Sequence, residues 1–108
     1  MSDRKVYKPS LSKYVFMDFS KWSDDEIKGK ILHKLSRFGK FEHSHTAIEH
    51  LQKGFPKDLA GRAKEMVNEL KREGILIPKP TNYGEQVSIN LDKKEKVMEY
   101  VEMFLRKE

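Results

Sequence analysis

The chain contains no cysteine, which excludes disulfides and thiolate metal sites. Nor does it contain an apolar run near the ~20 residues that a membrane-spanning helix needs. "MSDRKVYKPS" is basic, but no hydrophobic core and cleavage site of the secretory kind follow it. These absences predict a cytoplasmic protein. Asparagine and glutamine are also scarce, three and two among 108 residues, against abundant lysine and glutamate. That balance leans towards a thermophilic composition. Catalytic signatures are missing as well. There is no glycine-rich phosphate loop, no nucleophile elbow and no carboxylate pair at a recognisable spacing, so no enzyme is expected.

What is present is charge, at 36% of residues, with a net +5 that favours a polyanionic partner. The excess is uneven. Residues 1–56 hold eleven Lys/Arg against seven Asp/Glu, whereas 57–108 hold eleven against ten. The length suits one domain. Residues 1–13 read as a flexible basic arm with Arg4, Lys5, Lys8 and Lys13, and "YVFMDF" (14–19) as an apolar strand or helical turn. One domain then extends over 14–108.

Within it, Ser23 and Glu26 form a capping box, and Trp22 staples against Ile27. Ile27, Ile31, Leu35 and Phe38 continue a helical stripe that Gly39 stops. "KFEH" looks extended. A second helix starts at Ser44 or Thr46, turns Ala47, Ile48 and Leu51 inward, and ends at Gly54. A third spans about 57–73, with Leu59, Ala63, Met66, Val67 and Leu70 on one side and Gly74 at its end. Ile75–Lys79 and Gln86–Leu91 read as strands, and Pro78 and Pro80 assign the first to an edge. Asp92 caps a last helix at about 93–107. The class is α+β: a three-helix core, a small antiparallel hairpin and an additional C-terminal helix.

This order, with "AIEHLQKGFPKDLAGRAKEMVNELKREGILIPKPTNYGEQVSINL" at its centre, resembles the winged helix-turn-helix superfamily. The helix end "MVNELKREGIL" is its most specific part, in the form common among small prokaryotic regulators. The resemblance covers about 24–91. It implies a double-stranded DNA-binding transcription regulator with the third helix in the major groove and the hairpin, the wing, beside it. The outward face of that helix carries Lys57, Gly61, Glu65, Asn68 and Arg72, flanked by Arg62 and Lys64. In this reading the cations meet phosphates or guanine, Asn68 pairs with adenine, and Gly61 admits the duplex backbone. Lys28, Lys30 and Lys34 of the first helix add phosphate contacts, and the arm can reach a minor groove. The tip "TNYGEQ" has no cation and includes Glu85, a departure from DNA-gripping wings, so Lys79 at its base and Tyr83 are its contact candidates.

Winged helices also serve as protein-binding or assembly modules, and Asp58, Glu65 and Glu69 on the third helix keep that alternative open. RNA binding is a further variant. His43, His45 and His50 match no strong zinc spacing, so no metal, cofactor or small ligand is expected. The apolar surface of the last helix, Val97, Met98, Tyr100, Val101, Met103, Phe104 and Leu105, is wider than one stripe and suggests a homodimer interface.

Overall fold

A computed structural model describes residues 21–41, 44–82 and 84–107. The basic arm, the apolar segment 14–19, His43 and Tyr83 therefore lie outside the described residues.

Helix α1 (Asp24–Arg37) starts as its sequence predicts. Ser23 Oγ accepts the Glu26 N–H at 3.1 Å, and Glu26 Oε1 accepts the Ser23 N–H at 2.8 Å. Three acids lie in the first turn and Lys34 and Arg37 in the last, matching the helix dipole. Ile27, Ile31, Leu32 and Leu35 are buried. Phe38 is not. The helix stops at this residue, Gly39 turns the chain at φ 67°, and Phe38 is left 59% exposed. Phe41, bridged to Ile89, packs on the core instead.

The next segment also departs from expectation. Thr46–Ala47 is not the start of a helix but strand β1, pairing Thr46 with Val87 and Ala47 with Gln86. An available ladder satisfies its backbone better than an uncapped helical turn would. Helix α2 is confined to Ile48–Gln52, with Leu51 buried. Pro56 leads into a 3-10 turn at Lys57–Leu59, and α3 follows at Ala60–Arg72. Ala63, Met66, Val67 and Leu70 face the core as expected, and Leu59 is half-buried against it. Gly74 ends this helix at φ 78°.

Strands β2 (Leu76–Thr81) and β3 (Gly84–Ile89) pair antiparallel from Leu76↔Ile89 to Thr81↔Gly84, giving a sheet ordered β1–β3–β2. Strand β2 is an edge, where the prolines cost least. Pro78 and Pro80 have the same parity, so both missing N–H groups fall on one side of the strand. At the far end, Asn90 takes the capping role expected of Asp92. Its Oδ1 accepts the Asp92 N–H at 3.0 Å, and its Nδ2 donates to the Gly74 carbonyl at 2.9 Å. A 3-10 turn (Leu91–Lys93) precedes α4 (Lys94–Lys107).

The described chain is thus α+β, four helices with a small three-stranded antiparallel sheet. Helices α1 and α4 make its most extensive helix–helix contact. They meet at Gly29, which is buried against the Tyr100 backbone and Phe104. Val97, Tyr100 and Phe104 are consequently core residues, a correction to the seven expected at an interface between copies. The wide apolar surface of α4 serves two faces, and these three side chains fill the inner one. No described helix is long and apolar enough to cross a membrane.

Candidate nucleic-acid interface

Helix α3 presents Gly61, Lys64, Glu65 and Arg72 to solvent, with Asn68 half-exposed, and the 3-10 turn before it exposes Lys57. The helix repeat makes this inevitable once Ala63, Met66, Val67 and Leu70 are buried. Two of the expected contact residues are engaged elsewhere. Arg62 donates through Nη2 to the Trp22 carbonyl and to Asp24 Oδ1, both at 2.8 Å, tying α3 to the start of α1. Lys28 is 5% exposed, with Nζ 2.7 Å from Glu73 Oε2 and 2.9 Å from Glu69 Oε1. Its ammonium also lies 5.3 Å from the centre of the Tyr100 ring. An enclosed lysine with two carboxylates cannot reach a phosphate without breaking that arrangement, so Lys28 leaves the candidate set.

The surroundings of the α3 face are mixed in charge. Between α2, α3 and β3 lies a hollow of about 280 Å³ walled by Ile48, Glu49, Gln52, Lys64 and Glu85. Lys71 and Glu85 form an ion pair across the same region at 2.5 Å. Lys79 is exposed on β2. The cations still available on this side are therefore Lys57, Lys64, Arg72 and Lys79.

Lys30 and Lys34 belong to a different surface. Lys30 Nζ sits 5.4 Å from the Phe55 ring and 5.5 Å from that of Phe104. Lys34 Nζ donates to the His50 carbonyl near the end of α2. Burial first, and the neighbouring Lys53 second, hold the Lys34 ammonium below the usual lysine range. The structure thus separates the two lysines from Lys28 and groups them with Arg37, Lys40 and Lys53 around Phe38. Sequence reading missed Lys53 and Phe38. Only the cationic step Lys30–Lys34–Arg37 along one helix flank hinted at that cluster.

Gly29 is a second omission, although a glycine in the middle of a strongly patterned helix was a signal for close backbone approach. Among the described residues no group of three or more His, Asp or Glu is placed to hold a metal. His45 and His50 share a hollow, and His50 Nδ1 lies 3.4 Å from Thr46 Oγ1. Set against known proteins, the chain matches no family model, no curated protein and no solved structure.

Proposed function

We propose that the chain is a winged-helix protein that binds double-stranded DNA as a transcription regulator, with α3 in the major groove and the β2–β3 hairpin as its wing. The observation that carries this reading is topological. The order α1–β1–α2–α3–β2–β3, with the short β1 paired to β3 rather than to β2, is the arrangement expected of that fold. It leaves α3 with one face on the core and the other in solvent. Lys57, Lys64 and Arg72 contact phosphates there, Lys79 adds a contact from the wing, and Asn68 is the side chain suited to a base edge. Gly61 supports the reading too, because nothing lies within 4 Å of a Cβ placed on it.

Titration of a labelled duplex of about 20 base pairs, followed by anisotropy at 50 and 200 mM salt, tests this proposal. With four phosphate contacts, affinity falls about 100-fold between the two conditions. Lys64→Ala combined with Arg72→Ala weakens binding and flattens the salt slope. Arg62→Ala behaves differently: it costs about 1 kcal/mol of stability and leaves affinity unchanged, because its hydrogen bonds are internal. Absence of binding at 50 mM, or indifference to the double substitution, removes the DNA reading.

One observation favours a second reading. Glu49, Glu65 and Glu85 share this side with the cations, and Lys71 is already paired with Glu85. A mixed-charge face suits a protein partner, and the same titration separates the two readings.

The proposal includes a homodimer. Met98 and Leu105 of α4 are exposed at 60% and 48%, with half-buried Val101 on the same side. A second copy covers this strip. Light scattering is then expected to give twice the 12.7 kDa chain mass, falling to the monomer in Met98→Glu with Leu105→Glu. A wild-type mass of a single chain eliminates the dimer.

A further inference from the structure

On the side of α2 away from α3, cations collect around hollows whose walls, among the described residues, contain no acid. Lys30, Lys34 and Arg37 follow one another at steps of four and three residues, along one flank of α1. Lys53 joins them from the turn after α2, and Lys40 from the chain leaving α1. Two adjoining hollows open here, of about 470 and 430 Å³. Lys34, Lys40 and Lys53 line the first, beside the edge strand β1. Lys30, Lys34, Arg37 and Lys53 line the second. Among the described residues no Asp or Glu lines either one, whereas the hollow beside α3 has Glu49 and Glu85 in its wall.

Phe38 is part of both walls and is 59% exposed. A large apolar ring in solvent, ringed by cations, contributes nothing to the core that Phe41 does not already supply. The pairing of Lys34 with Lys53 is equally uneconomical as structure. Burial and then the nearby Lys53 disfavour the Lys34 charge, and the bond to the His50 carbonyl offsets this only in part. An anion relieves the repulsion, and a flat π-system covers the ring. Single-stranded nucleic acid carries both along one chain, since its bases are free to stack and its phosphates recur beside them. A duplex hides its base faces. A phosphopeptide or an anionic lipid surface would use the cations but give Phe38 no planar partner.

We propose that Lys34 and Arg37 of α1, Lys53 and Phe38 form a second site that binds single-stranded nucleic acid, the cations holding phosphates and Phe38 stacking on a base. The site stands on its own residues and is independent of the α3 reading. Hollows of this size are within the usual range of ~300–1,000 Å³ for small-ligand sites, enough for a nucleotide unit on either side of the ring.

The test uses the full chain and fluorescein-labelled oligo(dT) and oligo(rU) of about 12 nucleotides, by anisotropy at 50 and 200 mM salt. Binding that weakens with salt is expected for at least one of them, and the pair tells DNA from RNA. Phe38→Ala lowers affinity about 5- to 150-fold, whereas Phe38→Trp retains it. Arg37→Glu with Lys53→Glu lowers affinity at least tenfold. All three positions are exposed, so circular dichroism and melting stay as in the wild type. Lys64→Ala with Arg72→Ala leaves single-strand binding intact, which keeps the outcome separate from that at α3. The proposal is overturned if neither strand binds at 50 mM, or if Phe38→Ala binds like the wild type. It is equally overturned if single-strand binding depends on Lys64 and Arg72 instead, or if phosphatidylserine vesicles, and not single strands, engage the α1 cations.

Discussion

Gly29→Ala is expected to destabilise the protein by about 2–4 kcal/mol, lowering the melting temperature by about 10–25 °C. Alanine is normally the better helix residue, favoured by ~1 kcal/mol over glycine, so the substitution should help wherever space exists. At Gly29 space does not exist. A Cβ built there falls far inside van der Waals contact with the Tyr100 carbonyl oxygen and lies 2.9 Å from Phe104 Cβ. The Tyr100 obstacle is backbone in the middle of α4, which cannot rotate away as a side chain would. Relief requires the two helices to separate along their whole contact, opening gaps around Ile31, Val97 and Phe104, which are all buried. Gly61→Ala is the control. It sits in α3 with nothing within 4 Å, and it gains up to ~1 kcal/mol. Thermal melts of both variants decide the point: a Gly29→Ala protein that melts within a degree or two of the wild type contradicts so close a crossing. In the proposed DNA complex Gly61→Ala carries a further signature, greater stability with weaker duplex affinity.

The contrast between these glycines shows what could be read in advance and what could not. Local signals were legible. The Ser23–Glu26 capping box, the stops at Gly39 and Gly74, the buried stripe of α3 and the edge placement of Pro78 and Pro80 all depend on near neighbours in the chain. Periodicity tells which side of a helix is apolar but not what lies opposite. It therefore gave Phe38 the inward place that Phe41 occupies, and was silent on the approach of Tyr100 to Gly29. Thr46–Ala47 read as helical because its pairing partner on β3 is forty residues away. The candidate site suffered most. Helical projection put Asn68 and Arg72 on the outer face of α3 and Lys64 on its flank, where they are found, while Lys57 lies in the 3-10 turn before the helix. It also offered Arg62 and Lys28, whose partners Asp24 and Glu73 are 38 and 45 residues distant. A charge is free or engaged only by virtue of tertiary neighbours, and one-dimensional spacing does not contain them.

Lys28 gives the second large effect. Its ammonium joins three helices: α1, which carries it, α3 through Glu69 and the adjoining Glu73, and α4 through Tyr100. The Tyr100 hydroxyl donates to Glu73 Oε1 at 2.8 Å. Lys28→Met keeps the aliphatic volume but leaves two carboxylates facing each other with no cation between them. Removing one partner of a fully buried pair costs ~3–5 kcal/mol, and about 2–3 kcal/mol is expected here because the carboxylates retain partial contact with water. Adding Glu73→Gln recovers part of that loss, since the two sites are coupled.

The pH dependence identifies the cause. Burial alone would raise the Glu73 carboxyl, but hydrogen bonds from Lys28 and Tyr100 outweigh it and hold the group below its usual range. A depressed carboxyl contributes stability that is present above its unfolded value and lost as pH falls through the folded one. At the alkaline end, burial opposes the Lys28 charge, yet Glu73 and Glu69 raise it above the ordinary lysine value. Burial, then the bond to Glu73, pushes Tyr100 up to about 12. Both contributions are complete below the unfolded values and fade as pH rises through the folded ones, for Tyr100 between 10.0 and about 12. Wild-type stability is therefore expected to be flat near neutrality and to fall at both extremes. Urea denaturation at pH 7 and pH 3 should show the wild type and Lys28→Met drawing closer in acid, as protonation of Glu73 removes the charge that the lysine neutralises. A gap of equal size at both pH values means that the loss comes from packing around the Lys28 stem, and not from its charge.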